Sequence, residues 1–248
     1  MTGYVDVRAY AELNDFLAPD QRGATMRRPF HPHQTVKDVI EAAGIPHTEV
    51  DLIVVGGEPV AFTHRPAPGD RIAVYPVFES LDTGPITRLR PEPLRDPRFV
   101  VDVHLGRLAR LLRLVGFDAR WGNDFDDAAL AAIGEAERRI VLTSDRGLLK
   151  RRQVTRGLFV RSAQPVEQVA DVLRRLDLGA RLAPFTRCMQ CGGELAPVGK
   201  AEVWDRLPPL TRAHYDDFRR CTACGQVYWR GAHHERLVDL VARIRRAL

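Results

Sequence analysis

The stretch FVVDVHLGRLARLLRLVGFDARW, residues 99–121, decides the fold of the central part of the chain. Its apolar start predicts a buried strand over 99–101, its middle has the leucine spacing of an amphipathic helix over 104–115, and its end predicts a strand over 117–121. The alternation continues with a predicted helix over 126–137, strands over 140–143 and 158–160, and a helix over 165–176. Repeated strand–helix units imply a parallel sheet covered by helices on both faces, so residues 98–180 are predicted to form an α/β domain.

Acidic residues stand at one predicted edge of this sheet. Asp102 and Asp145 each follow a predicted strand, and Asp127 opens a predicted helix. Ligands bind at the carboxyl ends of parallel strands, and converging carboxylates attract a hard cation such as Mg²⁺ or Mn²⁺, which can activate water for attack on a phosphodiester. Asp124 and Asp126 are candidate additional acids. Each of these residues also has a structural alternative, because aspartate commonly caps helices and closes turns.

Four cysteines form two CxxC pairs, Cys188 with Cys191 and Cys221 with Cys224. The first residues lack the basic and then apolar pattern of a secretion signal, so we expect a cytoplasmic protein and no disulfide framework. Two CxxC turns can close a tetrahedral site of four thiolates. We therefore predict a structural zinc ion without a catalytic role. The fallback ligands are His214, His233 and His234.

The charge of the chain favours an anionic partner. The net charge is +5, and of the 37 lysines and arginines only Lys37, Lys150 and Lys200 are lysines. The planar guanidinium group of arginine suits phosphate contacts and stacking on bases, although codon bias is a competing explanation. We predict RNA as the partner. The candidate RNA-binding residues are Arg107, Arg110, Arg113, Arg146, Lys150, Arg151, Arg152, Tyr228, Trp229 and Arg230.

Three of these arginines share one predicted helix. Over residues 104–115 one apolar stripe is formed by Leu105, Leu108, Leu111, Leu112 and Val115. Arg107, Arg110 and Arg113 lie on the opposite arc, so all three are predicted to be exposed. Tyr228 and Trp229 follow the second CxxC pair, where they can either stack on unpaired bases or pack against the cysteine-rich segment. Residues 235–248 are predicted to form a basic amphipathic helix.

Residues 1–78 have the element order of a β-grasp fold, with two strands, a helix that begins after Thr35, and further strands. The segment 69–77, GDRIAVYPV, resembles the last strand of sulfur carriers of the ThiS and MoaD type. Those carriers end in a free Gly-Gly, whereas this chain continues through Phe78, Glu79 and Ser80. We therefore discard sulfur transfer and interpret the domain as a docking or RNA-positioning module. Prolines and arginines in residues 79–97 predict a linker.

Four stretches together carry a specific resemblance: residues 99–121, DDAALAAIGEAERRIVLTSDRGLLKR (126–151), RCMQCGGEL (187–195) and CTACGQVYWRGAHHERL (221–237). They closely resemble the Mut7-C family, a PIN-like nuclease domain with a C-terminal zinc ribbon, over roughly residues 98–236. HTEVDLIVVGGEPV (47–60) and GDRIAVYPVFES (69–80) resemble the ubiquitin-like domain found fused to that family.

The resemblance implies a multi-domain chain of α+β and α/β type. Its parts are a ubiquitin-like β-grasp domain (1–78), the linker (79–97), a PIN-like parallel-sheet nuclease domain (98–180), and a zinc ribbon with a basic C-terminal helix (181–248). PIN-like domains use clustered acids with Mg²⁺ or Mn²⁺, which implies Asp102, Asp127 and Asp145 here. The family pattern reads TRD before the last acid, and Ser144 replaces the arginine.

Two functions from different classes fit these features. The first is a divalent-metal ribonuclease, which the three acids favour. The second is an RNA-binding protein with little or no cleavage, for example a tRNA binder, which the arginine-rich surface, the zinc site and the extra β-grasp module favour. The toxin half of a toxin–antitoxin pair is a third interpretation, which the three-domain organisation argues against. We expect no membrane partner, and the protein partner of the β-grasp domain is unknown.

Overall fold

The computed structural model describes residues 3–76, 89 and 96–248, and in them the chain is mixed α/β. It divides into two compact units. The first unit is Met1–Arg95 with Asp145–Phe159, and the second unit is Asp96–Ser144 with Val160–Leu248. The predicted linker 79–97 lies, except for residues 89, 96 and 97, outside the described residues. Within the described ranges, no helix has both the length and the apolar character that crossing a membrane requires.

Short strands and helices make up the regular structure of both units. The strands are β1 (Gly3–Ala9), β2 (Met26–Phe30), β3 (Val50–Val55), β4 (Glu58–Pro59), β5 (Arg71–Pro76), β6 (Phe99–Val101), β7 (Ala119–Arg120), β8 (Ile140–Thr143), β9 (Gly157–Phe159), β10 (Leu195–Val198), β11 (Phe218–Cys221) and β12 (Val227–Trp229). The helices are α1 (Val36–Ala42), α2 (Gly106–Leu114), α3 (Asp127–Ala136), α4 (Arg146–Leu149), α5 (Pro165–Arg175), α6 (Lys200–Val203), α7 (Pro209–His214) and α8 (His234–Arg246).

The sheet of the first unit has, within residues 3–76, the strand order β2-β1-β5-β3-β4. β1 pairs in parallel with β5 and antiparallel with β2, and β3 pairs antiparallel with β5. The predicted order of strands and helix is confirmed. The strand expected over 59–62 is shorter and consists of β4.

Local sequence explains this sheet and its helix. Val5, Val7 and Ala9 alternate along β1, and each is buried, because successive side chains of a strand point to opposite faces. Helix α1 begins at a capping box in which Thr35 and Asp38 satisfy each other's backbone amides. It ends before Gly44, whose φ of +104° suits a residue without a side chain.

The sheet of the second unit is parallel, as predicted. β6 pairs with β7 from Phe99 to Ala119 and with β8 from Phe99 to Ile140. Every residue of β6 and β8 is buried. Such continuous burial, without alternation, is typical of a parallel sheet covered on both faces.

A buried arginine lies at the amino-terminal edge of this sheet and makes hydrogen bonds to groups at the starts of the strands. Arg139, only 8% exposed, donates to both carboxylate oxygens of Asp118 at 2.8 and 3.2 Å, to Glu137 at 2.6 Å and to the carbonyl oxygen of Phe99 at 3.1 Å. Arg120 also contacts the Glu137 carboxylate. Burial by itself lowers the pKa of Arg139, but the two carboxylates outweigh it and raise that pKa.

The second unit also contains the cysteine-rich segment, which we call the cysteine module (residues 186–229). Its sheet has the order β10-β11-β12 with antiparallel pairing. A small core of Val203, Leu207, Phe218 and Val227 packs beneath it. Helix α8 follows, and it buries Val241 and Ile244 as the predicted amphipathic pattern requires.

Candidate functional site

Asp102 follows β6 directly and is held in place on both of its carboxylate oxygens. Oδ1 accepts the backbone N–H of His104 at 3.1 Å, and Oδ2 accepts the hydroxyl of Thr143 at 2.5 Å. Thr143 is the last residue of β8, so two neighbouring parallel strands position one carboxylate at their carboxyl ends. Asp102 is only 8% exposed. Sequence reasoning missed Thr143, although a lone polar residue at the end of the apolar strand IVLT was a visible signal.

The acids around the start of α3 have separate positions. Asp126 is the N-cap residue, and its side chain accepts the backbone N–H of Ala129 at 2.7 Å. Asp127 is the first helical residue and is half-buried, whereas Asp124 is exposed in the preceding loop. Among the described residues of the second unit, the acids form no group of three with oxygens close enough to share a metal ion. Asp126 therefore has the capping contact that its structural alternative requires, and the catalytic roles of Asp124, Asp126 and Asp127 stay predictions.

Asp145 belongs to the first unit and is exposed. It is the N-cap residue of α4, where its side chain accepts the backbone N–H of Gly147 at 2.7 Å. Ser144, where the resemblance implies an arginine, donates its hydroxyl to the carbonyl oxygen of Val160 at 3.0 Å within the second unit.

Two basic side chains that follow Asp145 make hydrogen bonds within the first unit. The Arg146 guanidinium lies 5.2 Å from the ring of Phe16 and 5.3 Å from that of Phe159, and it donates to the carbonyl oxygen of Phe16 at 3.1 Å. The Lys150 ammonium donates to the carbonyl oxygen of Glu41 at 2.7 Å. Arg151 and Arg152 are exposed.

Two further polar residues of the first unit hold residues 145–159. The ring nitrogens of His47 lie 2.6 Å from a Glu41 carboxylate oxygen and 3.1 Å from the carbonyl oxygen of Val154. Glu49 is fully buried, and its carboxylate accepts the backbone N–H of Phe159 at 2.5 Å. Sequence reasoning missed both residues, because nothing in the local pattern shows which distant backbone groups they satisfy.

The arginines of α2 divide into two kinds. Arg107 and Arg110 are exposed, as predicted. The prediction that Arg113 is exposed is wrong, because it is 3% exposed and donates to the carbonyl oxygens of Ala119 at 2.7 Å, Gln190 at 2.8 Å and Met189 at 3.3 Å. The last turn of α2 lies against β7 and the loop of the first CxxC pair. Burial lowers the pKa of Arg113.

The four cysteines lie together as predicted. Their sulfur atoms are all within 4.8 Å of one another, with Cys188 to Cys224 at 3.7 Å and Cys191 to Cys221 at 3.4 Å. A tetrahedral site with Zn–S bonds of ~2.3 Å has sulfur–sulfur edges of about 3.8 Å, so this donor set fits zinc. In the described part of the chain, no histidine joins this group.

The surroundings of the sulfur atoms shift the pKa values of the thiols in different directions. Burial alone raises the pKa of the Cys188 thiol, but hydrogen bonds from the Tyr228 hydroxyl and nearby backbone amides lower it to about 7. Burial raises the pKa of Cys191 to about 12, so a bound cation has to displace its proton. At Gly193 a Cβ atom would lie 2.8 Å from Ala223 and 2.9 Å from the Cys221 sulfur, so only glycine fits there.

Tyr228 and Trp229 pack against the cysteine module, which is one of the two alternatives derived from the sequence. The Tyr228 hydroxyl lies 3.1 Å from the Cys188 sulfur. The Trp229 ring lies 6.5 Å from that of Phe218. Both residues are half-buried, so part of each ring stays accessible. Arg230 is exposed, and its Nε lies 3.7 Å from Asp217.

A cavity of about 560 Å³ lies in the second unit beside the residues that follow Asp102. Its lining includes His104, Arg107, Trp121 and Gln168. The indole N–H of Trp121 donates to the carbonyl oxygen of Val103 at 3.2 Å, which fixes this ring. The cavity therefore combines an imidazole, a guanidinium and an aromatic ring, and its lining begins two residues after Asp102.

Two family descriptions match the sequence, one after the other along the chain. The Mut7-C RNAse domain matches residues 97–241, and the Mut7-C ubiquitin domain matches residues 2–82. Comparison with curated proteins and with solved structures gives no match. The first description covers more than half of the chain and includes Asp102, α2 and all four cysteines.

Proposed function

Because this chain belongs to the family of the Mut7-C RNAse domain and has a Mut7-C ubiquitin domain before it, we propose that it is a cytoplasmic, divalent-metal-dependent ribonuclease. In this proposal residues 98–180 are a PIN-like nuclease domain and residues 181–248 are a zinc ribbon with a basic helix. The observation that carries the proposal is the Asp102 carboxylate, which is buried, fixed on both oxygens and located at the carboxyl ends of two parallel strands.

The proposed catalytic acids are Asp102, Asp127 and Asp145, with Asp124 and Asp126 as candidate additional acids. Carboxylate oxygens are the ligands that Mg²⁺ and Mn²⁺ prefer, so these side chains are of the type that binds such ions. A bound ion supplies an activated water and charge stabilisation at the scissile phosphate. The hydroxyl of Thr143 and the N–H of His104 hold Asp102 in one orientation, so little conformational freedom is lost when its oxygens bind a cation.

The cavity beside Asp102 is the proposed entry for the RNA strand. Arg107 is exposed there and suits a phosphate contact, and the fixed ring of Trp121 suits a base. Since phosphate contacts carry no sequence information, these residues would position RNA without selecting its sequence. The ubiquitin domain is proposed to act as a docking or RNA-positioning module.

A second candidate function is an RNA-binding protein, for example a tRNA binder, with little or no cleavage. One observation favours it. Asp102, Asp126 and Asp145 are each the N-cap residue of a helix or helical turn, with a side chain that accepts a backbone N–H. A capping role explains an aspartate at each of these positions without catalysis.

Cleavage by purified full-length protein decides between the two functions. Labelled small RNA is incubated with Mn²⁺ or Mg²⁺, or with neither but with zinc retained, because a strong chelator would also remove structural zinc. Asp102→Asn and Asp145→Asn keep the capping oxygen but lose the charge, and Asp239→Asn is the control, since Asp239 is exposed on α8. We expect metal-dependent cleavage that falls at least about a hundredfold in both test variants and is unchanged in the control.

RNA binding is measured in parallel on the same samples. Tight binding of RNA by all four proteins without cleavage by any of them contradicts the ribonuclease proposal and supports the RNA-binding alternative. Cleavage that persists undiminished in Asp102→Asn contradicts the assignment of the acidic site.

A further inference from the structure

A groove with a volume of about 1110 Å³ lies in the second unit, between the cysteine module and the first turns of α8. Its surface is mostly apolar. The walls come from α2, α7, β11 and β12, from residues on either side of Cys188, and from residues 230–237. Arg110 and Met189 line both this groove and the proposed entry cavity, whereas none of the proposed catalytic acids lines the groove.

Aromatic rings form part of the groove and are held in fixed orientations. Tyr228 is fixed by its hydroxyl at the Cys188 sulfur, and Trp229 by the ring of Phe218. The rings of Phe185 and His234 lie 4.9 Å apart with an interplanar angle of 32°. Rigid and partly accessible rings offer stacking surfaces to planar groups at a small entropy cost.

The charge of the groove is positive. Arginines 110, 187, 219, 230 and 236 line it, against a single lining carboxylate in the described residues, that of Asp217. Arg187 donates to the carbonyl oxygens of Gly116 and Gly192, and Arg230 lies near Asp217. The other three arginines are exposed, and their side chains have no hydrogen bond or ion pair with any described residue. They are therefore available to an anionic ligand.

We propose that this groove binds single-stranded RNA, with unstacked bases on the aromatic wall and backbone phosphates on Arg110, Arg219 and Arg236. The inference rests on the proposed function only in taking RNA as the substrate class. It adds a second RNA-binding surface on the cysteine module, separate from the acidic site, which would hold a strand while another part of it is cut.

The combination of groups favours RNA over an acidic protein segment. An acidic peptide would use the arginines but leave the ring faces without a matching surface. A single strand of RNA presents a planar base and a phosphate in every nucleotide, which matches rings and guanidinium groups side by side. A duplex hides its bases in the stack and would use the phosphate contacts alone.

The test uses full-length, zinc-loaded protein with Asp102→Asn in all samples, so that binding is read without cleavage. The probe is a fluorescein-labelled oligouridine of about a dozen nucleotides, within the site sizes known for single-strand binders. Fluorescence anisotropy gives the dissociation constant at several salt concentrations. The test variant is Arg219→Ala with Arg236→Ala, which removes two charges from the groove.

The matched control is Arg220→Ala with Arg245→Ala. It removes the same charge from the same two elements, β11 and α8, at positions that do not line the groove. We expect the test variant to bind about tenfold more weakly and to lower the slope of log affinity against log salt by roughly 1.4, since each phosphate contact on a single strand contributes about 0.7. The control should stay within about twofold of the parent protein.

Two results would overturn the proposal. Equal weakening by the test and control pairs would mean that the RNA responds to total charge and not to the groove. Binding of a polyglutamate probe that depends on Arg219 and Arg236, without such dependence for the RNA, would identify the groove as a protein-docking surface.

Photo-crosslinking keeps the proposal testable if the double variant misfolds. The parent Asp102→Asn protein is irradiated with the same oligonucleotide carrying 4-thiouridine, and the adducts are located by mass spectrometry. We expect adducts within residues 226–237. Adducts confined to other parts of the chain contradict the proposal.

The experiments distinguish a wrong groove proposal from a wrong ribonuclease proposal. Loss of cleavage in Asp102→Asn tests the acidic site and does not involve the groove. Groove binding is read where cleavage is already abolished, so it can succeed in a protein that never cleaves RNA.

Discussion

Two basic regions of this protein have the same kind of side chain in opposite situations. In residues 145–159, Arg146 and Lys150 donate to main-chain carbonyl oxygens of the first unit, and Arg146 also lies over two aromatic rings. In the groove, Arg219 and Arg236 have no side-chain partner among the described residues. The first region uses its cations to hold a segment in place, and the second leaves them open to a ligand.

The difference teaches that the number of arginines does not measure the capacity to bind RNA. An arginine is available to RNA only if carbonyl and carboxylate oxygens of the protein do not already accept hydrogen bonds from its guanidinium group. Helix α2 shows this within a single element, because Arg110 lines the groove whereas Arg113 donates hydrogen bonds to three carbonyl oxygens. Substitutions in one region at a time can separate arginines that hold the chain in place from arginines that bind a ligand.

The largest effect is expected from loss of the predicted zinc ion. Structural zinc contributes on the order of 10 kcal/mol to the folding of small zinc modules, and the four sulfur atoms lie close enough together to share one ion. Cys221→Ser should lose bound zinc, unfold residues 186–229 and abolish RNA binding in the groove. Metal content and hydrogen–deuterium exchange measure this. Amides of the first unit should keep their protection, and full zinc content in the variant would contradict the assignment.

Arg113→Ala is expected to have the next largest effect. Its removal leaves the carbonyl oxygens of Ala119, Met189 and Gln190 without their charged donor, which should cost about 3 kcal/mol. Faster zinc release and faster amide exchange at residues 186–195 are the expected readouts. Arg110→Ala, three residues earlier on the same helix, is the control and should change neither. Equal zinc release in both variants would mean that the contacts of Arg113 are not important for the module.

The sequence predicted the parts of the fold that depend on local pattern. The apolar strands Phe99–Val101 and Ile140–Thr143, the helix cap at Thr35 and the two CxxC pairs are local signals, and the structure has each of them. The strands of the cysteine module were not predicted, because a bound metal replaces most of the core that would otherwise mark them.

The site could be predicted only in part, because some of its contacts join residues that are far apart in the chain. The position of Asp102 after a buried strand follows from sequence, but its bond to Thr143 depends on the pairing of β6 with β8. Helical periodicity placed Arg113 on a polar face. Its burial comes from a loop 76 or 77 residues away in the chain, which periodicity cannot reveal.

Arg146→Ala tests the region in which cations hold the chain in place. Contacts of a guanidinium with two rings, at a partly exposed position, should contribute about 1 kcal/mol. We expect faster amide exchange in residues 145–159 and unchanged affinity for the oligouridine probe. Arg152→Ala, which removes the same charge from an exposed position of the same segment, is the control and should leave exchange unchanged. A drop in RNA affinity in Arg146→Ala alone would place this residue among the RNA-binding arginines.

The smallest effect is expected at Glu137, whose carboxylate is an ion-pair partner of the buried Arg139. Protonation of this carboxylate at low pH removes the ion pair. Burial alone raises the pKa of Glu137, but Arg139 and Arg120 outweigh it and lower that pKa. A carboxylate whose pKa is lowered in the folded state stabilises the protein above its unfolded value of ~4.3, and this contribution is lost as the pH falls through the folded value. Glu137→Gln should therefore lower stability at neutral pH, by less than about 1 kcal/mol, and make it fall less steeply below pH ~4 in urea unfolding. Glu135→Gln, an exposed position on α3, should follow the parent curve. If the stability of all three proteins falls identically below pH ~4, the Glu137 carboxylate does not stabilise the folded protein.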